Sequence, residues 1–454
     1  MRIRSTSERY FDFSEPSSLK VVQDYRQKYE GLSDLLDANP GILSLAHEDW
    51  AKLLSSSPEG RSGQYTSEHL LRALVVMFIE TASYRDVVVR IDTSEFLRHF
   101  VRLGPKATMA FTFLDKAACV LSGQTLVAMN QLLTVYAACQ GKIGGDKQRL
   151  DTTVYETAIH YPTDSSLLWD SFRTLARLIR DIQKELPDLG LHHRFHDRKV
   201  KKLSTFIARN ASSKSKATQR QVKRRYRLLI ERVGWIHGVG QAVLCQVEAT
   251  VVTAVDLAHY LPLVGRIVDQ ADRRVLQGLS VAADEKLYSL FEEHTELIQR
   301  GKAGKPIEFG HKILISQTGE SFIHHYQVLE RRREDADLLE PALKAHDDLF
   351  GRYPEVVATD KGFYTSMTQI AALQGKIRTV SIAKKGRRTP AQVERESSED
   401  FVAGQRFRAG VEGSISVLKR AFKLGRCLLK GFKHYAASVG LAILCHNLVL
   451  LTRL

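Results

Sequence analysis

Cysteine is scarce in this chain, and no long uninterrupted apolar run is present. Five of the 454 residues are cysteines, and none of them forms a CxxC pair. A disulfide scaffold is therefore excluded, and the odd count is typical of a reducing cytosol. The N-terminal residues MRIRSTSERYFDF lack the apolar segment of a signal peptide. The most apolar stretch, Ala436–Leu451, is interrupted by Ser438, His446 and Asn447, so we expect a buried helix and no membrane span.

Acidic residues are outnumbered by basic ones, with 66 Lys and Arg against 51 Asp and Glu and a formal net charge of +15. Such an excess favours a polyanionic partner, although many basic proteins bind none. With 44% hydrophobic and 26% charged residues, the chain can bury real cores, which excludes a wholly disordered protein. Its length suggests two or three domains. We therefore expect a soluble, cytoplasmic protein with no membrane partner.

The N-terminal part of the chain is expected to be helical. Residues 1–65 have a mixed and irregular pattern, and helical periodicity begins after them. The indicated helices are three short ones that begin near Thr66, Ser83 and Thr93, and a longer one over Leu114–Cys139. The rhythm is similar to a helix-turn-helix and predicts that residues 1–140 are a DNA-binding region. A helical bundle that binds no DNA has the same pattern, so that alternative stays open.

Strand-like and helical segments alternate in the rest of the chain. Arg149–Tyr161 is rich in β-branched and aromatic residues and predicts a strand, and Asp164 is expected to cap the helix after it. Helical character continues to about Arg300, and Gly301–Pro306 is expected to be a linker. The remaining predicted elements are the strands of a hairpin, His311–Ser316 and Ser321–Leu329, then helix Asp335–Phe350, strand Pro354–Asp360, helix Thr365–Leu373, strand Lys376–Ala383 and a closing helix from about Phe407 to Lys423.

The order of these elements predicts a fold class once the long helical stretch is treated as an insertion. The order is then strand, strand, strand, helix, strand, helix, strand, helix, as in the RNase H-like fold. We therefore predict an α/β protein with an RNase H-like mixed sheet. Residues 141–454 are expected to form this catalytic core. A basic helical insertion at about 166–304 would interrupt it after the first strand.

Three acidic residues occupy positions that this fold would bring together. Asp151 lies on the first strand, Asp360 ends the fourth and Glu412 lies on the closing helix. Such a pocket suits Mg²⁺, which prefers oxygen ligands. Two such ions about 4 Å apart can activate an attacking oxygen and stabilise a leaving one in phosphoryl transfer. The alternative is structural, because an Asp at a strand end is more often a turn former than a ligand.

The surroundings of Glu412 favour the functional interpretation. Arg408, Glu412, Ile415 and Lys419 recur at helical spacing and share one face. Arg408 and Lys419 would then contact phosphates on either side of the metal ligand. The alternative is a solvated surface row, which would stabilise the helix by only a few tenths of a kcal/mol per pair.

The motifs around these acids resemble those of a known family. VVATDKGFY at Val356–Tyr364 resembles the second-Asp motif of bacterial insertion-sequence transposases of the DDE class. RLDTTVYETAIHYPTDSSLL at Arg149–Leu168 resembles their first-Asp region, including YPTDS. The spacing Arg408-x3-Glu412-x6-Lys419 reproduces that of their Tyr-Arg-Glu-Lys signature.

The resemblance extends beyond the acidic motifs, with one departure. The signature's tyrosine falls on Gln405, which puts an aromatic contact in doubt and leaves the acidic triad intact. The segment Gly425–Leu451 is similar to the family's C-terminal helix, and GRSGQYTSEHLLRALVVMF to its helical entry domain. The resemblance covers roughly residues 60–170 and 305–454, and the variant looks like the ISNCY-type group.

The resemblance implies a specific activity. A transposase of this class would bind the terminal inverted repeats of its own insertion sequence as double-stranded DNA. Asp151, Asp360 and Glu412 would hold Mg²⁺, for which Mn²⁺ could substitute. Hydrolysis at the element ends would free a 3′-OH, which would then attack target DNA. A homodimer or higher oligomer would join two ends, in a bacterial cytoplasm and associated with the nucleoid. The rival interpretations are a stand-alone RNase H-like endonuclease and a domesticated or inactive DNA-binding regulator.

The residues expected to contact DNA lie in two places. The segment Leu191–Leu229 is densely basic, and Asp197 is its only acid. A charge run is usually a solvated face, but in a chain suspected of cutting DNA it favours phosphate contact. His311 and Lys312, near the strand that returns from the insertion, are weaker candidates. The predicted DNA-binding residues are Arg408, Lys419, Lys361, Lys312, Lys199, Lys201, Lys202, Arg220, Lys223, Arg224, Arg225 and Arg227.

Overall fold

The computed structural model of the chain describes residues 4–5, 17–52, 65–190, 192–247, 251–299 and 306–454. The backbone forms two compact units. One unit joins Met1–Glu156 to His311–Leu454, and the other is Thr157–Gly310. The loop expected at residues 55–64, most of the linker at 301–306, and Leu191 lie outside the described residues.

Helices dominate the described chain before the first strand. They are α1 (Lys20–Ala38), α2 (Pro40–Ala51), α3 (Ser67–Ile79), α4 (Tyr84–Thr93), α5 (Glu95–Val101), α6 (Phe111–Val120) and α7 (Gly123–Cys139). The expectation that residues 1–65 are irregular is wrong for α1 and α2. The start of α1 has no side-chain cap and no acid in its first turn, so the usual start signals are missing. Burial of Tyr29, Leu32 and Leu36 in the main core stabilises the helix instead.

Capping residues set the starts of the next helices. Thr66 and Ser83 both form capping boxes, as their positions in the sequence indicated. The third short helix is capped by Ser94, whereas the sequence indicated Thr93. The Ser94 hydroxyl accepts a hydrogen bond from the Leu97 N–H, and Thr93 is the last residue of α4.

The long helix expected over Leu114–Cys139 is two helices. Helices α6 and α7 meet at a bend of 80°. At the break Ser122 caps α7 by accepting a hydrogen bond from the Thr125 N–H. Asp49 accepts hydrogen bonds from the Ser122 N–H at 3.0 Å and from the Thr125 hydroxyl at 2.6 Å. The bend therefore depends on a carboxylate from α2, distant in sequence.

A seven-stranded mixed sheet runs through the described ranges. Its strands are β1 (Lys147–Thr157), β2 (Glu296–Gln299), β3 (Ile307–Gln317), β4 (Ile323–Val328), β5 (Val356–Thr359), β6 (Thr379–Ile382) and β7 (Arg426–Cys427). The order is β2-β3-β1-β5-β6, with β4 on β3 and β7 on β1. Strands β1, β5 and β6 are parallel, and β3 and β4 are antiparallel. This mixed α/β architecture is consistent with the RNase H-like fold.

Helices follow the later strands of the sheet. They are α12 (Leu339–Phe350), α13 (Met367–Gln374), α14 (Pro390–Ser397), α15 (Glu399–Ala421) and α16 (Phe432–Leu451). Helix α14 was not expected, and α15 begins eight residues before the predicted start at Phe407. Thr389 forms a capping box with Gln392, and Ser398 caps α15, so each of these two helices begins at a capping residue before Phe407.

Helix α16 lies in the main hydrophobic core. Tyr435, Leu441, Leu444 and Leu448 of this helix pack in one cluster with side chains from α3 and α7. By length and composition α16 could cross a membrane, but 83% of its apolar window is buried inside the protein. The expectation of a buried helix is confirmed, because the apolar surface is covered by other parts of the chain.

The second unit is mainly helical and has a core of its own. It contains α8 (Asp164–Glu185), α9 (Asp197–Asn210), α10 (Lys216–Leu244), α11 (Val252–Ala271) and strand β2. The cap of α8 is Thr163, whereas the sequence indicated Asp164. The Asp164 carboxylate instead accepts two hydrogen bonds from Arg274, at 2.8 and 2.9 Å. Arg274 follows the end of α11. Because it is more than 100 residues from Asp164 in the sequence, the local sequence could not predict this ion pair.

Candidate active site

Two of the three predicted acids are carried by adjacent parallel strands, one on β1 and the other directly after the end of β5. In the register of β1 and β5, Arg149 pairs with Ala358. Continuing this register by two residues sets Asp151, on β1, opposite Asp360, which directly follows the end of β5 at Thr359. Neighbouring strands are roughly 4.8 Å apart, so the fold brings these two residues near each other although the whole second unit lies between them in the sequence.

The turn after β5 holds the Asp360 side chain in a defined place. Asp360 caps the short 3-10 turn Lys361–Phe363, and its Oδ1 accepts a hydrogen bond from the Gly362 N–H at 2.8 Å. A Cβ atom at Gly362 would lie 2.9 Å from Asp360 Oδ1 and 3.1 Å from Asp335 Oδ2. Both carboxylates therefore crowd the position where any other residue would place its side chain, which explains why glycine stands there.

Asp335 is a neighbour of the predicted site that the sequence did not single out. Its Oδ1 accepts a hydrogen bond from the Lys312 ammonium at 2.9 Å, and both side chains are less than one-fifth exposed. The charge of Lys312 is therefore already matched within the protein. Because Asp335 contacts the Gly362 position, this ion pair supports the turn that carries Asp360. Contact of Lys312 with DNA stays a prediction.

Gln405 connects α15 to the ends of β5 and β6. Its side-chain amide donates hydrogen bonds to the carbonyls of Ser381 at 2.7 Å and Thr359 at 3.2 Å. Thr359 directly precedes Asp360. The residue that departs from the transposase signature therefore contributes a polar contact between the helix and the strand end.

Arg149 makes a second connection between β1 and α15. This side chain is 5% exposed, and its guanidinium donates to Gln317 Oε1 at 3.0 Å, the Phe407 carbonyl at 3.0 Å and Ser321 Oγ at 2.6 Å. It also lies over the Phe407 ring, 4.9 Å from the ring centroid. Burial lowers the pKa of Arg149 from its ordinary value. A buried cation two residues before Asp151 thus joins β1 to α15.

Arg408 lies between the first and third predicted acids. Its Nη2 donates a hydrogen bond to Glu412 Oε1 at 3.2 Å, and its Nη1 is 4.0 Å from Asp151 Oδ2. The Asp151 side chain is 18% exposed and Glu412 65% exposed. The Glu412 side chain is therefore mostly in solvent, whereas the Asp151 side chain is mostly covered by the protein. One guanidinium joins the two carboxylates across the face of α15.

The donor chemistry of the three acids fits a hard divalent cation. Asp151, Asp360 and Glu412 offer only carboxylate oxygens, which Mg²⁺ prefers, and the register of the sheet brings the two aspartates to one level. Within the described residues, no three histidine, cysteine, aspartate or glutamate side chains stand close enough together to hold a metal ion. In this arrangement Arg408 contacts two of the carboxylates, and metal binding by the three acids stays a prediction.

The other predicted DNA contacts differ in exposure. Lys361 is exposed next to Asp360, and Lys419 is partly buried on α15. His311 has no exposed surface, and its Nδ1 lies 3.0 Å from the Leu329 carbonyl, so the fold provides no route from its side chain to DNA. The predicted residues of the second unit are all exposed, namely Lys199, Lys201, Lys202, Arg220, Lys223, Arg224, Arg225 and Arg227.

Comparison with known proteins agrees with the class that the fold indicates. The α/β architecture is consistent with an RNase H-like transposase, and residues 281–448 match the family model of the transposase DDE domain. The match includes Asp360, Gln405 and Glu412, and it supports a DDE-type transposase, a DNA-cleaving enzyme whose substrate is DNA. Transposases of this family are usually soluble and cytoplasmic. No curated protein and no solved structure matches the chain.

Proposed function

We propose that the protein is a DDE transposase of the ISNCY-type group, which acts on the ends of its own bacterial insertion sequence. The observation that supports the proposal is the parallel pairing of β1 with β5, because Asp151 lies on β1 and Asp360 directly follows β5, and the ion pair of Arg408 with Asp151 and Glu412 connects helix α15 to them. The match of residues 281–448 to the transposase DDE domain supports it independently.

The acidic residues would hold the metal, and the basic residues would orient the DNA. Asp151, Asp360 and Glu412 would bind Mg²⁺, or Mn²⁺ in its place. When bound, such ions supply Lewis-acid activation of the attacking oxygen and stabilisation of the leaving oxygen. Arg408, now joined to Asp151 and Glu412, would turn its planar guanidinium to a phosphate. Lys419, about two turns beyond Glu412 on α15, would contact the backbone as a point charge.

Two phosphoryl transfers would follow one another at this site. Water first hydrolyses a phosphodiester at the element end: the attacking oxygen bonds to phosphorus, and the 3′ oxygen leaves as a 3′-OH. That 3′-OH then attacks a phosphodiester of target DNA, and a second 3′ oxygen leaves. Each step exchanges one P–O bond for another, so neither a covalent enzyme intermediate nor a nucleotide is required.

The DNA itself would be held by the basic surfaces of both units. Terminal inverted repeats are the proposed ligand, with residues 1–140 and the exposed cations of Lys199–Arg227 as the proposed contacts. Release of counterions from each neutralised phosphate would make binding steeply salt dependent. Joining two ends in one complex requires at least two copies of the chain, so a homodimer or higher oligomer is proposed.

The test compares two substitutions that remove the same charge. We expect Asp360→Asn to lower end cleavage in Mg²⁺ by more than about a hundred-fold, because loss of a second-shell partner alone costs about 10–100-fold. Asp348→Asn, an exposed position of α12, serves as the control and should cleave normally. Cleavage and binding of a duplex that carries the element's end are measured separately.

The outcomes distinguish the proposal from its rivals. If Asp360→Asn cleaves as the wild type does while binding persists, the assignment of the triad is wrong. A pre-cut end that is joined to target DNA identifies a transposase, whereas cleavage without joining identifies a stand-alone nuclease. Binding without either reaction identifies a regulator that keeps the fold.

A further inference from the structure

Helix α9 presents a polar face that points away from the core of its unit. Its buried residues are Val200, Ser204 and Ile207. At about 100° per residue, the opposite face carries Arg198, Lys202, Thr205 and Arg209, which recur at intervals of four, three and four residues. All four are exposed. The stripe lies about half a turn from the buried side chains, so it projects straight outward.

The cations of this face are not matched by acids. No ion pair involves Arg198, Lys201, Lys202 or Arg209 among the described residues. Asp197, at the start of α9, pairs with Arg180 instead. Side chains of α9 alone line an open groove of about 530 Å³, in which Thr205 and Asn210 lie beside the cations. The Thr205 hydroxyl and the Asn210 amide each donate to a carbonyl of the same helix, those of Lys201 and Phe206. The groups of this face that have no partner among the ion pairs of the described residues are therefore its cations.

The first half of α10 extends the basic surface. None of its residues from 216 to 228 is buried, and the buried face of α10 begins at Leu229. Arg225 lies over the Phe206 ring of α9, 5.1 Å from its centroid, which keeps the two helices together. Between Arg198 and Ile230 the sequence contains no acid. Helices α9 and α10 thus form a continuous basic surface, and a polyanion is the partner that complements its charge.

The two helices differ in what their side chains can recognise. The outward face of α9 carries Arg198 and Arg209 at its two ends, both exposed, and arginine is the side chain that pairs with guanine edges in the major groove. The exposed face of α10 offers arginine and lysine, which suit phosphates. An α-helix fits the major groove of B-DNA, and α9 with 14 residues is about 21 Å long.

The N-terminal helices α3, α4 and α5 are less suited than α9 to contact DNA. Helix α3 is buried along nearly its whole length. In α5, Arg98 already donates hydrogen bonds to the carbonyls of Gly104 and Lys106. In α4, Arg90 pairs with Glu80. Their cations are therefore engaged within the protein, unlike those of α9.

We infer that α9 enters the major groove of double-stranded DNA and reads base pairs with Arg198 and Arg209, while α10 contacts the phosphates beside it. The inference rests on the proposed function for the identity of the DNA, because a transposase must select its own ends. Base reading and phosphate contact are separate in their effects: the first changes the preference for one sequence, and the second changes affinity for every sequence.

The experiment uses the full chain and double variants that each remove two arginines. A preferred duplex is first selected with the wild type from a randomised duplex library. The dissociation constants for that duplex and for a scrambled duplex of equal length are then measured over a salt series. Arg198→Gln with Arg209→Gln tests α9, Arg220→Gln with Arg227→Gln tests α10, and Arg85→Gln with Arg90→Gln tests α4.

We expect the α9 variant to reduce the ratio between preferred and scrambled duplex by about 30-fold or more, since two base contacts are lost. The α10 variant should weaken both duplexes equally and reduce the salt slope by about two. Arg209→Lys keeps the charge and loses the planar fork, so it should relax the preference at a single base pair. Because these side chains are exposed, circular dichroism should be unchanged.

Three results would overturn the inference. They are a wild type without any sequence preference, an α9 variant that weakens both duplexes equally, and an α4 variant that alone removes the preference. None of these measurements involves cleavage. A chain that reads its duplex but never cuts or joins DNA would contradict the proposed function and leave the inference standing.

Discussion

At the scale of single residues, the Asp360 turn shows how closely packed the predicted site is. The Gly362 N–H holds Asp360 Oδ1, and the space beside it is closed by Asp335 Oδ2. Lys312 neutralises Asp335 from the other side. Two carboxylates therefore explain the glycine at position 362. The sequence predicted Asp360 as a site residue, and it did not single out Asp335.

Replacing Gly362 should affect activity more than stability. In Gly362→Ala, the new methyl group must push the Asp360 carboxylate away, because the separation of 2.9 Å is too short for a carbon–oxygen contact. We expect end cleavage to fall by about ten-fold or more, since ligands displaced by 1 Å cost large factors in rate. The unfolding temperature should change little. Gly375→Ala, whose Cβ would meet only ordinary contacts, is the control, and equal cleavage by both variants would contradict this explanation.

At the scale of elements, the helix α15 is aligned by its contacts with β1, β5 and β6. Gln405 bonds to the strand ends, and Arg149 reaches the Phe407 carbonyl from β1. Gly410 faces the same guanidinium, and a Cβ there would overlap it. The helix that carries Arg408 and Glu412 therefore approaches the sheet too closely for any side chain at this position.

Two glycines of α15 allow a matched comparison of this approach. Gly410→Ala should lower the free energy of unfolding by about 1–3 kcal/mol through overpacking and reduce cleavage by shifting Glu412. Gly413→Ala has no atom within 4 Å of its Cβ, so helix propensity should raise the free energy of unfolding by about 0.5–1 kcal/mol. Urea denaturation and cleavage assays measure both. If the two variants were equally stable, the close approach would not be a constraint.

At the scale of the whole molecule, a pair of buried histidines links the sheet to α12. His346 Nε2 lies 2.9 Å from the Gly145 carbonyl and must donate to it. In the neutral ring its Nδ1 then accepts from His324 Nε2, at 3.3 Å. The Nδ1 atom of His324 is buried without a hydrogen-bond partner among the described residues. An added proton would thus find no acceptor, and the pair is held neutral.

This pair predicts a dependence of stability on acid. Burial lowers the pKa of His346 to about 4 and that of His324 well below its ordinary value, with the charge of His346 adding to the effect on His324. Unfolded histidine binds its proton near pH 6.5, so the unfolded chain binds more protons below that pH. The stability is therefore fully present above about pH 6.5 and is lost as the pH falls toward about 4.

Measurements on a variant can isolate this contribution. His346→Gln keeps a donor for the Gly145 carbonyl and removes one titrating group. We expect its free energy of unfolding to fall less steeply than that of the wild type between pH 6.5 and 4, by urea denaturation at each pH. The partly buried His325, whose pKa is also lowered to about 4 by desolvation, keeps part of the slope. The exposed His192 provides the control as His192→Gln. Parallel curves for wild type and His346→Gln would contradict the prediction.

Much of the secondary structure could be predicted because its signals are local. The capping residues Thr66 and Ser83 are readable in a few consecutive residues, and so is the apolar character of α16. The missed features depend on distant partners. The bend between α6 and α7 needs Asp49, and Asp164 is engaged by Arg274 rather than used as a cap.

The candidate site divides in the same way. The sequence by itself determined the order of strands and helices, the acids at 151, 360 and 412, and the basic segment of the second unit, since each is a property of spacing and residue type. Only the tertiary structure decided the register that levels Asp151 with Asp360, the ion pair behind Gly362, and the outward direction of the α9 stripe. These depend on contacts between segments far apart in the chain, and no local pattern records which distant residue a side chain will meet.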